Sequence, residues 1–172
     1  MITKFDQYNE GIKHLLVGPT IEEILKENPT SLLGSSLLDG DYELFQLALK
    51  HGADINYKDN WLLKHCSQTG KLEKVKILIK NGADVNKSES IIQTPLVLSS
   101  RNGHYEVVKF LLENGAGTDE WGRDLKQSLI WAESNIKNAE QDFNYTKIKE
   151  YEKIIELLKK YQWGEDKFKK GE

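Results

Sequence analysis

The side chains best suited to nucleophilic or metal chemistry are few: one cysteine, Cys66, and four histidines. A cysteine becomes a nucleophile when a base or a positive field lowers its pKa. The sequence places no base in that role, so Cys66 reads as a buried small residue. His65 falls on the apolar side of its helix with no second ligand at i+4, which reads as a core or interface histidine and not a metal ligand. The sequence holds no Gly-x-Ser-x-Gly, no Gly-rich phosphate loop, no His-Glu-x-x-His and no paired cysteines. Its carboxylates are spread along solvated helix faces. Catalytic residues, metal and cofactors are therefore all expected to be none. What remains is binding chemistry, carried by aromatic and arginine side chains, which dominate interface hot spots. Trp61 and Trp121 stand in loops, with Tyr57 near the first.

The elements that would position them come from one phrase written three times: Gly40 to Asn56, Gly70 to Asn86 and Gly103 to Asp119. The last reads Gly-His-Tyr-Glu-Val-Val-Lys-Phe-Leu-Leu-Glu-Asn-Gly-Ala-Gly-Thr-Asp. In each copy the apolar residues fall on one helical stripe, as in Val107, Val108, Leu111 and Leu112. Gly52, Gly82 and Gly115 follow directly, where a left-handed cap favours glycine. Gly82 and Gly115 are 33 residues apart. Gln93-Thr94-Pro95-Leu96 opens a second, preceding helix with a Thr cap and proline at the first helical position. A unit of two short helices cannot bury its apolar face alone, so neighbours must stack.

This period and wording resemble the ankyrin-repeat family over residues of roughly 30 to 161. The resemblance implies an all-α solenoid of stacked helix-turn-helix units. Residues 1–29 are expected to be N-terminal capping helices. Repeats are expected at about 30–56, 57–86, 87–119 and 120–161, with a polar tail at 162–172. The first helix of the first repeat, Thr30 to Ser36, loses the family's proline and is expected to be degenerate. The second repeat is three residues short in the loop Tyr57 to Trp61. In the third, Ile92 stands where glycine is usual, so Ile91 and Ile92 either face a partner or tuck against a neighbouring loop. The last repeat carries about 14 extra residues, from Ile136 to about Lys149, which predicts a helical hairpin lengthened in both arms and turning near Asp142–Asn144. His104 is expected to be structural. Thr20 with Glu23 is a capping box, and Asn28-Pro29 ends that helix. Phe5 to Leu16 reads as an amphipathic helix that either covers the first repeat or binds a partner. Its opening resembles ankyrin proteins of phage and environmental bacteria.

Formal net charge is −3 with 30% charged residues, and no basic stripe marks a nucleic-acid groove. No apolar run is long enough to span a membrane, no secretory signal is visible, and a lone cysteine suits a reducing compartment. A cytoplasmic protein is expected, with neither nucleic acid nor membrane as partner.

In the resembled family, partners meet the loop tips and the exposed side of the inner helices. Carried onto this sequence, the candidate partner-binding residues are Tyr57, Lys58, Asp59, Asn60, Trp61 and Gln68 in the short repeat. In the next they are Ser90, Ile91, Gln93, Arg101 and Asn102, and in the last Trp121, Arg123, Asp124 and Lys126. Trp61 and Trp121 either pack between loops or face the partner; packing is the preferred reading for Trp61. The function expected is a stand-alone protein-binding module, a stoichiometric inhibitor of one protein such as a toxin or a defence enzyme. The alternative is a structural component that self-associates through its terminal helices. The oligomeric state expected is a monomer or a weak homo-oligomer.

Overall fold

The computed structural model describes residues 19–118 and 122–163. The expected helix at Phe5–Leu16, the residue Trp121 and most of the polar tail lie outside the described residues. The described residues form nine α-helices and no strand. The chain divides into two compact units between Tyr57 and Lys58.

In the first unit, α1 (Ile21–Glu27) starts at a complete capping box. The Glu23 N–H donates to Thr20 Oγ1 at 3.3 Å, and the Thr20 N–H donates to Glu23 Oε2 at 2.8 Å. The backbone and hydroxyl of Thr20 hold the Glu23 carboxyl below the usual carboxylate range. The helix stops at Asn28, where the following proline disfavours helical backbone. α2 (Ser31–Asp39) is well formed despite its irregular wording, because Leu33, Ser36 and Leu37 still bury the same face. α3 (Tyr42–Lys50) is capped by Asp41, whose carboxylate accepts the Leu44 N–H at 3.1 Å, and it buries Phe45 and Ala48. The Asp54 N–H donates to Thr30 Oγ1 at 2.8 Å, so this threonine braces the loop rather than capping its own helix.

In the second unit, α4 (Tyr57–Gln68, all but its first residue) and α5 (Leu72–Lys80) form one pair, α6 (Pro95–Arg101) and α7 (Tyr105–Glu113) the next, and α8 (Arg123–Gln141) and α9 (Tyr145–Trp163) the last. Val75, Leu78, Leu96, Val107, Val108, Leu111, Ile154 and Leu158 are all but fully buried between them. Ala83 and Ala116 donate back to Leu78 and Leu111 at 3.0 and 2.9 Å, closing the ends of α5 and α7 over left-handed glycines as the phrase predicts. Thr94 caps α6 by accepting the Val97 N–H at 3.2 Å.

The three-residue shortening of the second repeat has a physical form that periodicity does not reveal. Lys58, Asp59 and Asn60 all have left-handed backbone, with φ of 48°, 55° and 61°. Right-handed helix starts only at Trp61. One left-handed turn of non-glycine residues costs on the order of 1–2 kcal/mol per residue, less where Asn and Asp occupy it. It persists because its side chains are tied to the far end of their own repeat and to the start of the next. Asn60 Nδ2 donates to the Asp84 carbonyl at 2.6 Å, and Asp59 Oδ1 accepts the Glu89 N–H at 2.8 Å.

The lengthened hairpin is present. α8 and α9 each run 19 residues. The turn falls at Asp142, Phe143 and Asn144, with Phe143 left-handed at φ 52°. The alignment of α8 with α6 starts four residues earlier than the Gln127–Ala132 stretch suggests: Leu125 and Ser128 are buried where Leu96 and Ser99 are buried one repeat before.

Candidate functional site

Two short helices and their capping loops place one surface feature of the second unit. It is an open groove of about 300 Å³ lined by Trp61, Lys64, His65, Gln68, Gln93, Leu98 and Arg101. His65 and Leu98 are the same position in successive repeats, 33 residues apart, and so are Gln68 and Arg101. The groove is thus the seam between two inner helices, α4 and α6.

Its chemistry is set by two ring contacts. The Trp61 and His65 rings lie 5.7 Å apart at 19°, and Trp61 remains 48% exposed. The preferred reading of Trp61 as a residue packed between loops is therefore corrected: the left-handed turn before it swings its ring onto the open side of α4. The Arg101 guanidinium sits 5.4 Å from the centre of the Trp131 ring, a cation–π distance. Lys64 is buried along its stem and pairs with Asp59. Burial works to raise the Asp59 pKa, but the Lys64 ammonium, the Glu89 N–H and the charge of Lys87 outweigh it and hold the carboxyl below its usual range.

Four of the residues expected at a binding surface, Trp61, Gln68, Gln93 and Arg101, meet in this groove. Ile91, Arg123 and Asp124 line a second groove of about 240 Å³, together with Asn86, Ser88, Thr94 and Thr118. Tyr57, Lys58, Asn102 and Lys126 are exposed but line neither. Ser90 is half-buried in its own turn, where its carbonyl accepts Ser88 Oγ at 2.8 Å and the Gln93 N–H at 3.0 Å. Two expected surface residues need correction. Asn60 is fully buried under the left-handed turn, and Asp124 is only 7% exposed at the start of α8. Asn60 thus offers no surface, and Asp124 offers only the part that lines the second groove. Ile91 and Ile92 are 43% and 46% exposed, which decides their two alternatives in favour of exposure.

Lys64, His65, Leu98 and Trp131 belong to the groove or its rim and were not among the expected residues. The repeat register held the signal for two of them, since His65 and Leu98 flank Gln68 and Arg101 on the same helix faces. Trp131 follows Leu98 by the same 33 residues, so the spacing held a signal for it too, although the burial pattern of its helix is shifted by four.

The back of the groove is braced by hydrogen bonds to the ends of its two helices. His104 Nε2 lies 2.9 Å from the Gln68 carbonyl, and its ring covers Gly70. This is the structural role expected of it. One repeat later Asn135 Nδ2 and the Tyr151 hydroxyl both donate to the Arg101 carbonyl, at 2.6 and 2.9 Å. Burial raises the Tyr151 pKa, partly offset by a hydrogen bond with Asn135. Cys66, which follows His65 in α4, is fully buried, and burial pushes its thiol up to about 11. A thiol so placed is not a nucleophile near neutral pH. Among the described residues no three His, Cys, Asp or Glu side chains converge as a metal site, and no helix is long and apolar enough to cross a membrane.

A family model described as ankyrin repeats, in three copies, matches residues 36–124, just over half of the chain. No curated protein matches the sequence.

Proposed function

The chain belongs to the ankyrin-repeat family, whose members are generally protein–protein interaction modules, and from that premise we propose that it binds one protein partner through the groove between α4 and α6. The observation that carries this reading is the convergence of Trp61, His65 and Arg101 on one braced seam. Tryptophan and arginine are the residues that most often supply interface energy. His104, Asn135 and Tyr151 brace the backbone carbonyls of Gln68 and Arg101 from behind, which favours a backbone already set for binding. The finer reading is a stoichiometric inhibitor, of phage or bacterial origin and working in the cytoplasm, that neutralises a toxin or a defence enzyme by occupying it. A partner pulled from host lysate by the wild type should be lost with Trp61→Ala/Arg101→Ala while circular dichroism stays unchanged. Retention of the partner by the folded double variant sinks the groove as the site.

A second reading is self-association through the lengthened hairpin, favoured by its tip. Phe143 and Tyr145 are 76% and 71% exposed, the most exposed large hydrophobic side chains described. Sedimentation at high concentration tests it; a sharp monomer at every loading removes it.

A further inference from the structure

We infer that the groove between α4 and α6 receives an acidic segment of the partner, a peptide stretch whose Asp or Glu carboxylate pairs with the Arg101 guanidinium while an adjacent apolar side chain lies on the Trp61–His65 stack. The inference rests on the reading of this groove as the binding site and names the chemistry of what enters it.

The charge of the groove comes first. Its two charged lining residues, Lys64 and Arg101, are both cationic. Asp59 already answers Lys64. Among the described residues no carboxylate pairs with Arg101, and its contact is the face of Trp131. Among the described residues the groove therefore holds one cation with no carboxylate partner, although the chain as a whole is at −3.

Geometry narrows the anion. The contact with the Trp131 ring is to a π face, which offers no hydrogen-bond acceptor, so the guanidinium N–H groups still call for one. A planar fork of that kind matches a carboxylate with two parallel hydrogen bonds. The neighbours of Arg101 then require more than an anion. Trp61 is half-exposed and stacked flat, and only an apolar side chain laid on it would remove that surface from water. A purely apolar segment fails in turn, because it would bury the guanidinium without a counter-charge. Gln68 and Gln93 line the same groove, and each amide can donate to and accept from a peptide backbone. An acidic residue beside an apolar one satisfies all three requirements together.

The test pans a displayed random-peptide library against the immobilised full chain. Enriched peptides are then measured by fluorescence anisotropy on the wild type, Arg101→Gln, Arg101→Glu and Trp61→Ala, each checked for fold by circular dichroism. The expected result is a consensus with Asp or Glu next to an apolar residue. Arg101→Gln should weaken it about tenfold or more, and added salt should weaken the wild-type complex. A peptide with that acid replaced by Lys should regain affinity for Arg101→Glu. Peptides that lack an acid, or that bind Arg101→Gln as tightly as wild type, overturn the inference. If they still lose binding with Trp61→Ala, the groove survives as the site and only its acid specificity falls. If neither substitution matters, the groove reading falls as well. Enrichment of no peptide overturns the inference, and the pull-down then decides the groove separately.

Discussion

The ring of Tyr151 stands over Gly103, with its Cζ only 3.3 Å from where a β-carbon would begin. This repeats, with a different side chain, the position of His104 over Gly70, where the corresponding approach to Nδ1 is 2.6 Å. Gly115 has nothing within 4 Å of such a carbon. All three glycines have positive φ, at 78°, 70° and 88°. Alanine at Gly115 should therefore show the backbone penalty alone, on the order of 1–2 kcal/mol. Gly103→Ala should lose more, and Gly70→Ala most, as the contact tightens. Urea unfolding of the three variants checks the order. Equal losses would mean that both rings simply move aside.

The Tyr151–Gly103 pair also shows how much of the fold was legible. Tyr151 follows His104 by one repeat plus the 14 extra residues counted in the sequence. Ile154 and Leu158 follow Val107 and Leu111 by the same interval and are buried like them. Periodicity exposes such features because burial repeats with the helix. It could not expose the left-handed turn at Lys58–Asn60, since nothing in those residue types demands three positive φ values in a row. That turn decides the site: it buries Asn60 and turns Trp61 outward. The Arg101–Trp131 contact was only half legible: Trp131 follows Leu98 by 33 residues, but nothing in the spacing says that Arg101 reaches its ring.

The Asp59–Lys64 pair locks that turn. Asp59→Asn should cost roughly 2–3 kcal/mol, because it leaves a largely buried ammonium without its counter-charge. Asp59→Asn/Lys64→Met should recover much of the loss. The native carboxyl pKa lies below the unfolded one. The pair therefore stabilises fully above the unfolded value near ~4, and its contribution disappears as pH falls through the native value. The stability difference between wild type and Asp59→Asn should shrink over that acidic range. A pH-independent difference would remove the charge from the explanation.

Cys66 should resist alkylating reagents in the folded protein and react once urea unfolds it. Its thiol titrates at about 11 when folded and near ~8.5 when unfolded. The protonated form is therefore favoured by folding. Its contribution is complete below the unfolded pKa and is lost as pH rises towards the folded one, by about 3 kcal/mol at most. Stability measured across that alkaline window should fall further for wild type than for Cys66→Ala. Parallel curves would place the alkaline loss in other groups, and rapid labelling at neutral pH would show that the site opens locally.

Phe143 occupies left-handed backbone at the hairpin turn while 76% of its surface stays exposed. A bulky side chain at φ 52° is strained, and this one buries too little to offset the strain within the chain. Phe143→Gly should therefore stabilise the folded monomer, by about 1 kcal/mol once the greater freedom of glycine in the unfolded chain is included. Asp142 and Asn144 keep the turn in place through the bond from the Asp142 N–H to the Asn138 carbonyl at 3.1 Å and from the Asn144 N–H to the Ala139 carbonyl at 2.8 Å. Thermal unfolding at two protein concentrations reads both sides of the question. A gain in stability at low concentration, together with loss of any concentration dependence, would show that the phenylalanine serves a contact between copies. A gain with no concentration dependence in either protein would leave the strain and remove the self-association. A loss of stability would mean that the exposed ring packs on the hairpin in solution and that the strain is compensated locally.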